Sequence, residues 1–325
     1  MNFQIEDYSD MFFTRFESFI NTTSNINPED IMNFWLNNYI KDTDTELYKI
    51  QKKSYEKHNM TFKDYPLENV FPHFIIDLEK MKKAAYNLKL VLDRAKKDID
   101  NIIETEEDIF IVIYVGAGTG AGHVTKYKNK PAILFGLENI ANLNWYKIDT
   151  LTGMIFHELG HIIHMIEREK YISSTIKENI QSGKQNHENV LKKYEDLIWF
   201  RLYEEGTAQR FEHLLQGKET WHMDEMTEEG DSQWRAWINS NYSYICNTFY
   251  NRIKNENNKL SDLFGSDREN SDCNFHGKIQ VGYYIGAQMI KEWQKSLSLK
   301  EIMRLPKEEI KERVIDYLDT TRSEE

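Results

Sequence analysis

The chain has 325 residues, 40% hydrophobic and 29% charged, with five prolines, two cysteines and a formal net charge of −12. That length can bury a large core divided into two lobes, and the composition is ordinary for a helix-rich globular protein. The acidic charge argues against a nucleic-acid partner, because the basic stretches (Lys80 to Lys83, Lys126 to Lys130) are short and interleaved with other residues.

Residues 1 to about 103 read as mainly helical. Asn27-Pro28-Glu29-Asp30 is a helix start, and long helical stretches follow from Asp30 to Lys57 and from Ile75 to Ile103. Strands come next. Asp108 to Val115 is β-branched or aromatic from Ile109 onward, as a buried strand would be. It runs into Gly116-Ala117-Gly118-Thr119-Gly120-Ala121-Gly122. Such a loop can suggest a nucleotide site, but no Gly-Lys-Ser/Thr ending follows and His123 to Lys130 does not open a helix. A hairpin-like turn leading to Pro131 to Gly136 is the better reading.

The segment Met154-Ile155-Phe156-His157-Glu158-Leu159-Gly160-His161-Ile162-Ile163 then places HELGH in an apolar, helix-like run. Residues four apart on a helix lie about 40° apart around its axis, so His157 and His161 put two imidazoles on one face, spaced to share a zinc ion. Glu158, next to the first, stands where a general base would take a proton from a zinc-activated water. Burying two histidines and a glutamate in so apolar a helix is expensive unless something binds them. A third ligand six residues on is disfavoured: His164 stands where a turning glycine is needed, and Glu167 on a continuing helix points away from His157. His164 reads as a packing or surface histidine.

Downstream, a second helix is expected from about His187 to Gln216. Leu191, Tyr194, Ile198, Leu202, Glu205, Gln209 and Glu212 recur at three- and four-residue steps, which puts Glu205 on the inward stripe and makes it the third-ligand candidate. Gly206 and Ala208 are small enough for close approach to another helix, and Glu204 reads as solvent-facing. Further helices are expected over Ser232 to Lys254, Gly282 to Ser296 and Pro306 to Leu318, with polar loops over Ser182 to Asn186 and Asn255 to Asn274.

HELGH followed by Glu-Gly-Thr-Ala resembles the glutamate zincins (gluzincins), and within them the aminopeptidase-type branch and related groups of predicted bacterial zinc proteases. The resemblance covers about residues 107 to 290. It implies one zinc per chain, held by His157, His161 and Glu205, with Glu158 as general base. The 43 residues between His161 and Glu205 imply an insertion around Tyr171 to Glu188. Gln209 stands where thermolysin-like members carry an aspartate that orients the first histidine. The resemblance assigns the phenol that stabilises the oxyanion to Tyr283, in Tyr-x-x-Gly context, with Tyr284 and His276 as alternatives. It also implies that an edge strand within 116 to 136 pairs with the substrate backbone. Phe135-Gly136-Leu137-Glu138-Asn139 keeps only the last two positions of the amine-recognising Gly-x-Met-Glu-Asn segment, which tilts the expectation from aminopeptidase towards endopeptidase or oligopeptidase.

The expected fold is α+β and predominantly helical: an N-terminal helical lobe over 1–103 and a zincin-like catalytic region over 104–325, with a small twisted sheet on the HExxH helix. The expected function is zinc-dependent hydrolysis of a peptide or protein substrate. Its rivals are a zinc hydrolase of a non-peptide amide or ester, and a catalytically silent zincin-fold binding protein. Cys246 and Cys273 fit neither a disulfide framework nor a CxxC site. With no leader pattern at Met1 to Asp7 and no apolar run of spanning length, the expected location is the cytoplasm, with no membrane partner. Oligomeric state is left open.

Overall fold

Asn2–Asp7 forms a strand, β1, in a stretch where the sequence suggests helices. In the computed structural model, the residues described are 2–57, 61–100, 108–180, 197–219, 221, 232–265 and 270–322. They are mostly helical, with one four-stranded mixed sheet, which is the α+β class expected. β1 pairs in parallel with β2 (Asp108–Tyr114), whose run of β-branched and aromatic residues is buried from Ile109 onward. β2 pairs in parallel with β4 (Lys130–Gly136), and β3 (Gly122–Tyr127) closes the order β1-β2-β4-β3 as an antiparallel edge. The hairpin turn lies at Lys128 and Asn129, both at positive φ, rather than at the glycines. The stretch after the glycines is therefore strand β3, and the glycines link β2 to it.

The chain divides into compact units of residues 1–158 and 159–325. The boundary read from the sequence, between 103 and 104, lies outside the described residues, and β1 joins the sheet from the segment before it. In the first unit, α1 (Ser9–Thr22) and α2 (Pro28–Phe34) are joined by an aromatic cluster in which Phe12, Phe16, Phe34 and Phe74 meet ring to ring. Asn27 caps α2 with Asp30 in a reciprocal capping box, as its sequence suggests. The helical run to Lys57 is interrupted: a π-helical turn spans Trp35–Ile40, then come α3 (Lys41–Thr43) and α4 (Thr45–Lys57). α5 (Asp64–Asn69), α6 (Leu78–Asp100), α7 (Leu137–Asn142) and the start of α8 (Ile148–Ile180) complete this half.

The second unit contains α9 (Ile198–Gln216). The start expected near His187, the inserted segment beyond residue 180 and the loop at 182–186 lie outside the described residues. The helix expected over Ser232 to Lys254 is two helices, α10 (Ser232–Ser240) and α11 (Tyr242–Lys254). The break falls at Asn241, whose φ of −120° and ψ of 18° leave the helical range and whose side-chain amide and backbone N–H both donate to the Trp237 carbonyl. The segment expected as a loop from 255 carries α12 (Ser261–Phe264) and a 3₁₀ turn at Ser271–Cys273. α13 (Val281–Trp293), α14 (Leu299–Met303) and α15 (Lys307–Arg322) follow. Cys246 is buried and Cys273 half-buried, and both are free thiols. Among the described residues, no helix is long and apolar enough to cross a membrane.

Candidate metal centre

α8 carries HELGH. Leu151, Met154, Ile155, Phe156, Leu159, Ile162 and Ile163 are buried around it, and His157 is 4% exposed. Gly160 is where this helix meets α9: a Cβ there would stand 2.8 Å from the Ala208 Cα and 3.0 Å from its carbonyl oxygen. The missing side chain lets the backbones approach and brings Glu205 to the next residue, His161. His161 Nε2 lies 3.1 Å from Glu205 Oε2. His157, His161 and Glu205 form a group whose ligand atoms all lie within 4.8 Å of one another, a set that could hold a metal ion.

α9 presents Glu205 as its periodicity predicts. Ile198, Leu202, Glu205, Gln209 and Glu212 are all buried, while Glu204 is half-buried. Leu191 and Tyr194, the earlier members of that stripe, lie outside the described residues. Arg201, one turn before Glu205, puts a guanidinium nitrogen 2.7 Å from its Oε1, so the two carboxylate oxygens face different partners. On the other side of α9, Gly206 meets Gly286 of α13. A Cβ on Gly206 would fall 2.3 Å from the Gly286 oxygen, and one on Gly286 2.4 Å from the Leu202 oxygen. Tyr283, half-buried, precedes Gly286 on α13 by one turn, with its ring 6.0 Å from that of Phe264.

The alternatives to Tyr283 are occupied elsewhere. Tyr284 is buried, donates to Asn239 Oδ1 at 2.7 Å and packs on Trp221 and Trp234. His276 is exposed in a turn beside Tyr244 and Trp237. Glu167 stands outside the group of His157, His161 and Glu205, on a helix that continues, and is gripped through one oxygen by Arg304. His164 is a packing histidine: burial, chiefly, holds its pKa well below the usual imidazole value. Its Nε2 lies 2.9 Å from the Tyr203 hydroxyl, which itself donates to the Ile302 carbonyl. The neutral ring therefore acts as donor there. The Gln209 amide nitrogen donates to Glu212 and lies 3.1 Å from His213 Nε2.

The glycine-rich loop is filled from within the chain. Gly116 N–H donates to Glu138 Oε2 at 2.6 Å, Gly118 N–H to Glu138 Oε1 at 3.0 Å, and Ala117 N–H to Gln51 Oε1 at 2.9 Å. Amides that a phosphate would need are thus taken by a carboxylate and a carboxamide. Glu138 is itself buried, and burial pushes its carboxyl up to about 7 against the stabilising pull of those amides. Both of its oxygens are thus engaged within the chain. At the loop's far end, Gly122 begins the edge strand, and a Cβ there would lie 2.6 Å from Glu158 Oε1.

Arg201 on Glu205 and Gly122 against Glu158 leave no sign in the sequence. The close approach of α9 does, through the small residues of Glu-Gly-Thr-Ala, but those residues do not say which helices it meets. No protein-family model matches the chain, and comparisons with curated proteins and with solved structures gave no match.

Proposed function

We propose that this chain is a zinc-dependent peptidase of gluzincin type. The observation that carries the reading is the donor set: two imidazoles and a carboxylate, within 4.8 Å of one another, with Glu158 adjacent to the first imidazole. Two neutral nitrogens and one carboxylate oxygen suit zinc, and three protein ligands leave a position open. An HExxH helix whose glutamate abuts the first residue of an antiparallel edge strand fits a zincin-like core.

His157, His161 and Glu205 would hold the zinc, which when bound would supply Lewis acidity to the attacking water and the scissile carbonyl. Glu158 takes the proton of the attacking water on a carboxylate oxygen and returns it to the departing amine nitrogen. Tyr283 donates its phenolic O–H to the carbonyl oxygen as negative charge gathers there. The edge of β3 pairs with the substrate backbone as an added strand, and Gly122, lacking a side chain, leaves Glu158 room beside it. The internal use of Glu138 favours internal peptide bonds over an amino terminus.

The test is mass spectrometry of a mixed peptide pool incubated with wild type, with Glu158→Gln and with chelator-treated protein. Internal cuts made only by wild type, and restored to the chelated sample by zinc, are expected. Cleavage by Glu158→Gln would overturn the mechanism. A stoichiometrically zinc-loaded protein that cuts no peptide would point to a non-peptide amide or ester, or to a silent binding protein.

A further inference from the structure

Every backbone polar group from Val115 to Gly118 for which a side-chain bond is seen is held by the helices between β1 and β2 or by Glu138. Trp35 donates to the Val115 carbonyl and Tyr39 accepts from its amide. Tyr55 donates to the Ala117 carbonyl, and Gln51 also donates to the Thr119 hydroxyl. The loop's far end is fixed as well. Gly136 N–H donates to the Ala121 carbonyl at 3.1 Å, and a Cβ on Gly136 would fall 2.5 Å from the Gly120 oxygen. Gly118 and Gly120 take positive φ values of 93° and 145° to make this path. Between the two anchorages the chain has little slack, and it ends at Gly122, packed on the Glu158 carboxylate.

We propose that Glu138 is a positioning residue for Glu158: by filling the amide cradle of Gly116 and Gly118 it fixes the start of β3, and the start of β3 fixes the base. The proposal rests on the peptidase reading for its kinetic consequence, not for its structural one. Glu138 touches neither substrate nor metal and acts only through the loop. Both of its oxygens are used, each by a different amide, and this makes the isosteric Glu138→Gln informative. The substitution keeps the volume but must turn an NH₂ towards one of the two N–H donors.

The experiment compares zinc-loaded wild type and Glu138→Gln by hydrogen exchange, crystallography and kinetics, with Thr119→Val as a milder variant of the same cradle. Amides over 116–124 should exchange about 10-fold faster in Glu138→Gln, those of the HELGH turn should not, and the zinc content should be unchanged. Glu158 should shift in the crystal structure. The kcat per zinc-loaded chain should fall about 10-fold, with KM moved less than about 3-fold. Unchanged exchange would overturn the proposal. So would faster exchange confined to 116–119 with Glu158 in place. If wild type cleaves nothing, the peptidase reading fails alone, and exchange with the position of Glu158 still decides whether Glu138 acts through the loop.

Discussion

Glu204 and Glu205 are adjacent in sequence and differ in one respect that chemistry can use: Glu205 faces His161 and Arg201, and Glu204 does not lie on that stripe. Glu205→Ala should weaken zinc binding by more than about 100-fold, measured by competition with a chelator, whereas Glu204→Ala should leave it unchanged. The reverse pattern would move the ligand by one residue. Arg201→Ala should cost less, about 10-fold, because it removes a partner of the carboxylate and not a ligand. Glu158→Gln should retain a full equivalent of zinc by mass spectrometry and lose about 100- to 10,000-fold in turnover, the range for an acid–base group. His157, Glu158 and His161 are readable at this scale because the four-residue spacing is a property of the helix itself. Arg201 is not, since a charged residue one turn before a glutamate is common on any helix.

Among the helices, two close crossings organise the centre. Gly160 admits Ala208, and Gly206 admits Gly286. A methyl group at Gly206 would stand 2.3 Å from a backbone oxygen that has no side-chain freedom to retreat. Gly206→Ala should therefore lower stability by about 1–3 kcal/mol in urea unfolding, the usual cost of overpacking, and should weaken zinc binding because Glu205 is the neighbouring residue. Unchanged stability would show that the helices separate freely there. The inward face of α9 follows from its period, and the small residues in Glu-Gly-Thr-Ala signal a close approach. Which helices approach was not legible, since Gly160 and Gly286 lie far from Gly206 in sequence. β1 was missed for a related reason: six residues acquire a strand's hydrogen bonds only by lying beside β2, more than a hundred positions later.

For the molecule as a whole, two linkages are expected to bear on stability, one through the proposed zinc and one through Glu138. Zinc that binds the folded chain and not the unfolded one stabilises by mass action, so chelation should lower Tm and added zinc should restore it. Glu138 gives a pH dependence. Its folded carboxyl is raised from 4.5 to about 7, so the native state holds a proton that the unfolded chain has released between those values. The stabilisation is present in full below about pH 4.5 and is lost as pH rises through about 7, at most about 3 kcal/mol. The Tm of wild type relative to Glu138→Gln should therefore be greatest in acid and fall towards pH 8. A flat difference would mean that the carboxyl titrates alike in both states.

The amino-acid order alone determined the features set by local periodicity: the HELGH face, the inward position of Glu205, the buried strand before the glycines and the predominance of helix. These depend on repeats of two or of about 3.6 residues, which any short window displays. The tertiary structure alone decided what distant segments bring together: Glu205 beside His161, Glu138 in the amides of Gly116 and Gly118, and Gly122 against Glu158. Such meetings depend on packing and backbone hydrogen bonding across long loops, and no local pattern encodes the partner.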